Sequence, residues 1–447
     1  MSTLRGLEQA FPGAKDCTSA AMQAAVEDWF RLYFDDAVTE EEDPCQRLPV
    51  AIVGRLGRAC FGEYEASGQK EFAKAVLVGL EAVRKKAMQL ALIGGESWLK
   101  PLPGPNGFSF AVVRRDAVAV LGRDAQGDAC DLVSAEVTRQ NGKWYTLLER
   151  RTQTAKGVRI ENRLFVSHSA GSLGSPTGLG ALEKYAGLQP VLLLPGVNGL
   201  GLVPLRMSLE NCVDGSSEPV SVYAAAAGLV HSINRNERQL SREFDNGQSR
   251  VFASADLLRR RPGSNRAELP AGLFVGLDDD PETTGLTVFS PALRQQSFLE
   301  RKREYLRNLE SMIGLKRGLL GEVEAAQRTA TEVTSSQGDY ALTIQDLQQM
   351  WETALRRALA LCGQLGVLYR LPGAETLDGE TDAAVEWGNG VLYDKDKAWA
   401  ETMQLVSAGM LRPEIALAWK YDLPWQSEKD LQKVREMYMP AADVLLE

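Results

Sequence analysis

The sequence predicts an α+β protein, and three stretches carry that reading. Residues 291–368 read as two long helices joined by a small-residue connector. Residues 97–168 alternate with a period of two between turn signals, and the chain before Gly95 is mostly helical. Helical and strand stretches follow one another in blocks, without the β-α-β rhythm of a nucleotide-binding fold.

The 447 residues leave room for two to four domains with a full core. A hydrophobic share of 44% with 24% charged residues is that of an ordinary globular chain. The net charge of −9 argues against a protein that grips nucleic-acid phosphates, though not against one that DNA merely slides through. Six cysteines, at 17, 45, 60, 130, 212 and 362, are scattered with no C-x-x-C pair, so zinc and redox spacings are missing and reduced, buried thiols are expected. No basic-then-apolar leader stands at the start, and no apolar run reaches the roughly 20 residues of a membrane span. The nearest, Val191 to Leu205, is broken by Pro195, Gly196, Gly199, Gly201 and Pro204. A soluble intracellular protein without membrane contact is expected.

Taken in order, Ala20 to Phe34 carries Met22, Val26, Trp29, Phe30 and Leu32 after the possible caps Thr18 and Ser19, which predicts a helix. Glu40 to Pro44 reads as an acidic solvated loop, and Glu71 to Ile93 as a long helix closed by Gly94 and Gly95. Strands are predicted at 108–113, 117–121, 132–138, 143–150 and 158–166, forming one consecutive antiparallel sheet. Asn141-Gly142 is the strongest hairpin signal. The Gly-rich stretches 171–180 and 196–201 lack phosphate-loop spacing and read as plain loops.

Ser217-Glu218-Pro219 then predicts a helix start, with Val222, Ala226, Leu229, Ile233, Leu240 and Phe244 on its apolar face and Asn246-Gly247 closing it. A small β insert follows: a strand at 250–255, the basic run Arg259-Arg260-Arg261, a strand around 273–276, the acidic turn Asp278 to Asp280, and a strand at 286–289. The helix after Pro291 has Phe298, Leu299, Leu306, Leu309, Met312 and Ile313 at helical spacing, with Glu300, Glu304 and Glu310 among its charged faces, and ends at Gly314. The next shows Leu347, Trp351, Leu355, Ala358, Leu359 and Cys362, and Gly363 loosens it. Beyond lie a crossing at 372–382, a strand pair around Asn389-Gly390, and short helices at 395–407, 413–420 and 427–438, the last opened by an approximate capping box from Ser427 to Asp430.

Catalytic signals are sparse. The two histidines, His168 and His231, have no nucleophile elbow beside them, and Glu237 stands six residues from His231, outside metal-ligand spacing. Asp278 to Asp280 lacks the EF-hand pattern. The chain therefore reads as a non-enzyme, with no cofactor and no metal.

Arg250 to Ala253, the helix after Pro291, Gly314-Leu315 and the run Thr329-Ala330-Thr331-Glu332-Val333 together resemble the portal proteins of long-tailed bacteriophages. The resemblance extends from about Lys74 to Met439. It includes a strand pair at 144–149 and 160–165 and a C-terminal helical region with Ala408 to Leu411. The Thr-Ala-Thr-Glu run is fairly specific in that setting and weak alone. One departure is Gly171 to Leu205, richer in glycine than the regular domain that relatives carry there.

That resemblance implies a portal-type fold: a mixed α/β wing over 1–218, stem helices at 219–247 and 291–313 around a β clip at 248–290, a tunnel-loop region at 314–334, a long helix at 335–368, wing strands at 369–394 and a helical crown at 395–447. It implies a ring, in the family twelve copies, at the capsid vertex of the virion, assembled in the host cytoplasm, through which double-stranded DNA is packaged and ejected. The implied partners are other copies of the chain, the large terminase subunit, a head–tail adaptor and the major capsid or scaffold protein. Small residues (Gly318, Gly321, Ala325, Ala326, Thr329, Ala330) suit loops converging on one axis. Lys316, Arg317, Glu322, Arg328, Thr329 and Thr331 would line the channel, and Arg259, Arg260 and Arg261 would meet a partner at the clip. Two other classes stay open: a small-molecule enzyme with a helical dimerisation arm around 291–365, and a coiled-coil scaffold, which would need sustained heptads.

Overall fold

The computed structural model describes residues 6–34, 46–105, 107–247, 250–253, 259–260, 267–268, 286–289, 292–321, 330–388, 395–421, 423–425 and 427–439. Helices and strands are mixed, as an α+β chain requires. The N-terminal part holds α1 (Leu7–Ala10), α2 (Ala20–Phe34), α3 (Leu48–Cys60), the strand β1 (Tyr64–Gly68) and α4 (Glu71–Gly94). α2 starts where predicted because the Ser19 hydroxyl accepts the Met22 amide at 3.1 Å, supplying an acceptor the first turn lacks. Its stripe of Met22, Val26, Trp29 and Phe30 is buried against α3 and α4.

Nine strands follow: β2 (Glu96–Gly104), β3 (Gly107–Arg114), β4 (Val118–Arg123), β5 (Ala129–Gln140), β6 (Lys143–Thr154), β7 (Gly157–Ser167), β8 (Ser175–Thr177), β9 (Val191–Pro195) and β10 (Val203–Arg206). They form two antiparallel sheets instead of the one expected. The first has the order β10-β2-β3; the second runs β4-β5-β6-β7, with β8 and β9 both paired to β7. The split falls at the 3₁₀ turn Arg115–Ala117. The Arg115 guanidinium is buried there and donates to Val118 O, Thr18 Oγ1 and Glu218 Oε2, so the chain turns inward before β4. β2 escaped prediction because Pro101 and Pro103 disfavour an interior strand. Both lie past the four residues that β10 pairs, where the strand is an edge.

The β5–β6 hairpin closes as predicted, Gln140 opposite Lys143, with φ of 52° at Asn141 and 74° at Gly142, the pair of positive values a type I′ turn needs. Of the two Gly-rich stretches, 196–201 is loop as expected, whereas 171–180 contains the short strand β8, and the path from 171 to 206 is ordered by pairing. It lays β8 and β9 along β7 and then crosses to β2 as β10. Arg151, buried on β6, holds the crossing by donating to the carbonyls of Leu200 and Gly201 at 3.0 and 3.1 Å.

The next helix, α5 (Ala227–Asn246), begins eight residues later than the Pro219 signal indicates. Residues 218–226 are held by tertiary hydrogen bonds instead. Glu218 accepts from Arg115 and Arg123, the Val222 amide and Ser221 hydroxyl donate to Leu92 O, and Tyr223 Oη donates to Trp29 O. A helix through 219–226 would forfeit them. Beyond it, β11 (Arg250–Ala253), β12 (Arg259–Arg260), β13 (Ala267–Glu268) and β14 (Leu286–Phe289) form two small antiparallel pairs, β11 with β14 and β12 with β13. The acidic stretches 40–44 and 278–280 and the strand expected around 273–276 lie outside the described residues.

α6 (Gln295–Ile313) begins four residues after Pro291, and α7 (Ala330–Tyr369) has 40 residues, about 60 Å of helix at 1.5 Å per residue. Its start lies within the region expected to be loop, and Gly363 does not loosen it. At that glycine a Cβ would sit 2.5 Å from Leu377 N; the residue is small because the returning chain passes against the helix. Ile344, Leu347, Trp351, Leu355, Ala358 and Cys362 form the buried stripe of α7, at the centre of the main core.

β15 (Ala383–Trp387) pairs with β1; the strand expected to follow Asn389-Gly390 lies outside the described residues. The helices α8 (Lys395–Ser407), α9 (Pro413–Lys420) and α10 (Glu428–Tyr438) match the sequence reading. Ser427 caps α10, accepting the Asp430 amide at 3.2 Å.

Candidate functional site

Among the described residues no cluster of three His, Cys, Asp or Glu side chains could hold a metal ion. His168 is exposed just past β7, while His231 Nε2 lies 2.9 Å from Asp28 Oδ2, tying α5 to α2. A cleft of about 600 Å³ runs between α7 and the 206–219 segment, with Asp128, Arg206, Glu210 and Asp346 on its walls. The Arg357–Asp128 ion pair, at 2.9 Å, is part of its lining. Among the described residues no helix is long and apolar enough to cross a membrane.

The distinctive feature is an arm. α5 and α6 run antiparallel, with residues 236–243 of the first clasped to 294–302 of the second. Asn236 Nδ2 donates to Phe298 O at 3.1 Å, Lys302 pairs with Glu237 at 2.7 Å, and Arg294 pairs with Glu243 at 2.7 Å. The Arg294 guanidinium holds the Glu243 carboxyl below the usual carboxylate range through that hydrogen bond. The β11–β14 pair, Arg250 opposite Phe289, continues the out-and-back path.

α6 meets the core only near its end, where Leu309, Glu310 and Ile313 are buried. Earlier it exposes Glu300, Arg301, Arg303, Glu304 and Arg307, and Leu299 on α6 and Phe244 on α5 are 40% and 45% exposed. A helix pair this polar on its outer faces gains little from the core and is held mainly by its partner helix. Glu310, expected on a charged outer face, is buried. Its position was a signal: Leu306, Leu309, Glu310 and Ile313 are spaced i, i+3, i+4, i+7, so Glu310 stands inside the apolar stripe.

The exit of α6 is a Schellman turn. Gly314 has φ of 69°, its amide reaches Ser311 O at 3.4 Å, and the Leu315 amide reaches Glu310 O at 2.8 Å while Leu315 itself is buried. Lys316 and Arg317 follow on the exposed surface. These two of the predicted channel residues are brought side by side. Thr331 falls in the first turn of α7, while Glu322, Arg328 and Thr329 lie outside the described residues. At the other end of the arm, Arg259 and Arg260 form β12, opposite Glu268 and Ala267, and Arg261 lies outside the described residues. Among the described residues nothing brings the two groups together.

No protein-family model matches the chain, and no curated protein matches it either.

Proposed function

We propose that this chain is the subunit of a portal-type ring, a non-enzymatic conduit for double-stranded DNA at a capsid vertex. One observation carries the reading: a polar helix–β–helix arm leads through a tight turn into a 40-residue helix that returns to the core. An arm exposed on several faces is well suited to packing against copies of itself in a closed ring, where mixed charges pair across subunits. In this reading α5 and α6 are the stem, residues 248–290 the clip, residues 314–334 the channel-facing segment, and residues 395–447 the crown. The remainder forms the wing, in a ring of about twelve copies. The clip offers Arg259 and Arg260 to a packaging motor or adaptor, and the wing and crown face capsid or scaffold protein.

The acidic net charge agrees with a channel that lets DNA pass, since strong neutralisation of phosphates would hold it by counterion release. Imaging of the purified protein by negative stain, with mass measurement, tests the ring. Holed rings near twelve subunits are expected, and a compact monomer that stays so with scaffold protein added would overturn the reading in favour of an enzyme. In assembled capsids, alanine at Lys316, Arg317 and Arg328 together is expected to leave rings intact and to lower the DNA retained. Unchanged packaging would remove these residues from the channel.

A further inference from the structure

We propose that Glu310 is the positioning residue of the connector that follows α6, holding Lys316 and Arg317 in place from beneath. The residue is 3% exposed, and both carboxyl oxygens face backbone amides of the segment it precedes. Oε2 accepts from Gly318 N at 2.8 Å and Oε1 from Leu320 N at 2.6 Å. Its backbone carbonyl accepts a third connector amide, that of Leu315, at 2.8 Å. A single residue thus takes the amides of 315, 318 and 320, and the two basic residues lie between the first and second of these anchors.

The arrangement has the chemistry of an anion nest in which the anion is part of the chain. A turn that leaves a helix with its amides inward requires acceptors, because buried amides without them are costly. Here one carboxyl group supplies two. Glycine at 318 allows the geometry: its φ is 81°, a value that side chains other than glycine rarely adopt. Glutamine at 310 would keep the shape but offer a single acceptor oxygen, and its NH₂ would face one amide donor to donor. Removing the carboxyl would free both amides while leaving the Schellman turn of the backbone intact. The positioning role stands on this geometry; its bearing on DNA rests on the portal reading.

The test compares full-length wild-type protein with Glu310→Gln and Glu310→Ala by hydrogen exchange and by trypsin cleavage after Lys316 and Arg317. The expected result is exchange of Gly318 and Leu320 about tenfold faster or more in Glu310→Ala, with only one of the two affected in Glu310→Gln. Cleavage should accelerate in the same order, and amides within α4 should keep their wild-type rates. Unchanged exchange at 318 and 320 would overturn the proposal, as would equal loosening of α4, which marks a general packing defect. If Glu310→Ala does not fold, Glu310→Gln alone decides, since losing one amide of two is a signature that general destabilisation does not give. In packaging, Glu310→Gln combined with alanine at Lys316 and Arg317 should be no worse than the alanine pair alone. An additive loss would show that Glu310 does not act through them. Absence of rings would remove the portal reading and leave the exchange result to stand or fall separately.

Discussion

His231 of α5 hydrogen-bonds Asp28 of α2 across 203 positions of sequence, Nε2 to Oδ2 at 2.9 Å, and this contact fastens the root of the arm to the N-terminal helices. Burial alone would raise the Asp28 carboxyl, but hydrogen bonds from His231 and Arg31 outweigh it and hold the group below the usual carboxylate range. A lowered carboxyl contributes stability that is complete above its unfolded value, about pH 4, and is lost as the pH falls through the folded value. Asp28→Asn should therefore cost roughly 1 kcal/mol at pH 6 and progressively less below pH 4. Urea unfolding across that range checks it, and a cost that stays constant with pH would remove the ionised contact as its source.

Glu149 on β6 is the sharper acid-sensitive group. It is buried between Lys100 at 2.6 Å and Arg151 at 2.7 Å. Burial pushes its carboxyl up, yet the two cations prevail and bring it down to about 2. Glu149→Gln leaves Arg151 buried without its counter-charge and should cost about 3–5 kcal/mol at neutral pH. That contribution is complete above about pH 4.5 and fades as the pH falls toward about 2. Wild type and variant should therefore converge in acid, as equilibrium unfolding at pH 6 and pH 3 would show.

Gly363 sets two principles against each other. Replacing a mid-helix glycine by alanine normally gains about 1 kcal/mol. Here the added methyl would lie 2.5 Å from the backbone nitrogen of Leu377, which cannot swing away as a side-chain tip could. Gly363→Ala should thus be net destabilising, by roughly 1–3 kcal/mol of overpacking. A rise in melting temperature would mean that residues 372–382 yield readily.

Ser427→Ala tests a local effect. Loss of the cap on α10 should cost about 1 kcal/mol of helix stability and quicken amide exchange in residues 428–431. The core around Trp351 should not respond. Exchange that slows nowhere and quickens in α7 as well would show that the cap matters beyond its own helix.

Where local chemistry decides, the sequence was legible. Ser19, Asn141-Gly142, Gly314 and Ser427 each mark a boundary that the structure keeps, because a cap or a turn is settled by the residues beside it. Long-range partners were not legible. Residues 218–226 carry a sound helix start, yet bonds to Leu92 and Trp29 decide their path. β15 pairs with β1, more than three hundred residues earlier, and no residue beside either strand announces that partner. At the candidate site, the adjacency of Lys316 and Arg317 was plain, whereas the carboxyl beneath them passed for one more surface charge. A position inside an apolar stripe outweighs residue type as a sign of burial, and Glu310 shows why: its acceptors are needed by amides that the chain itself turns inward.

The pairing of β1 with β15, Tyr64 opposite Trp387, has a consequence for synthesis. At about 5–20 residues per second a ribosome needs roughly 15–65 s to travel between the two. Throughout that interval β1 has no strand to pair with, and the aromatic group of Phe61, Tyr64 and Trp387 lacks its last ring. The nascent chain therefore carries β1 as an unpaired strand until residue 387 has emerged. Guarding that strand falls to whatever attends the ribosome, and chains released early by premature termination would be the ones to aggregate.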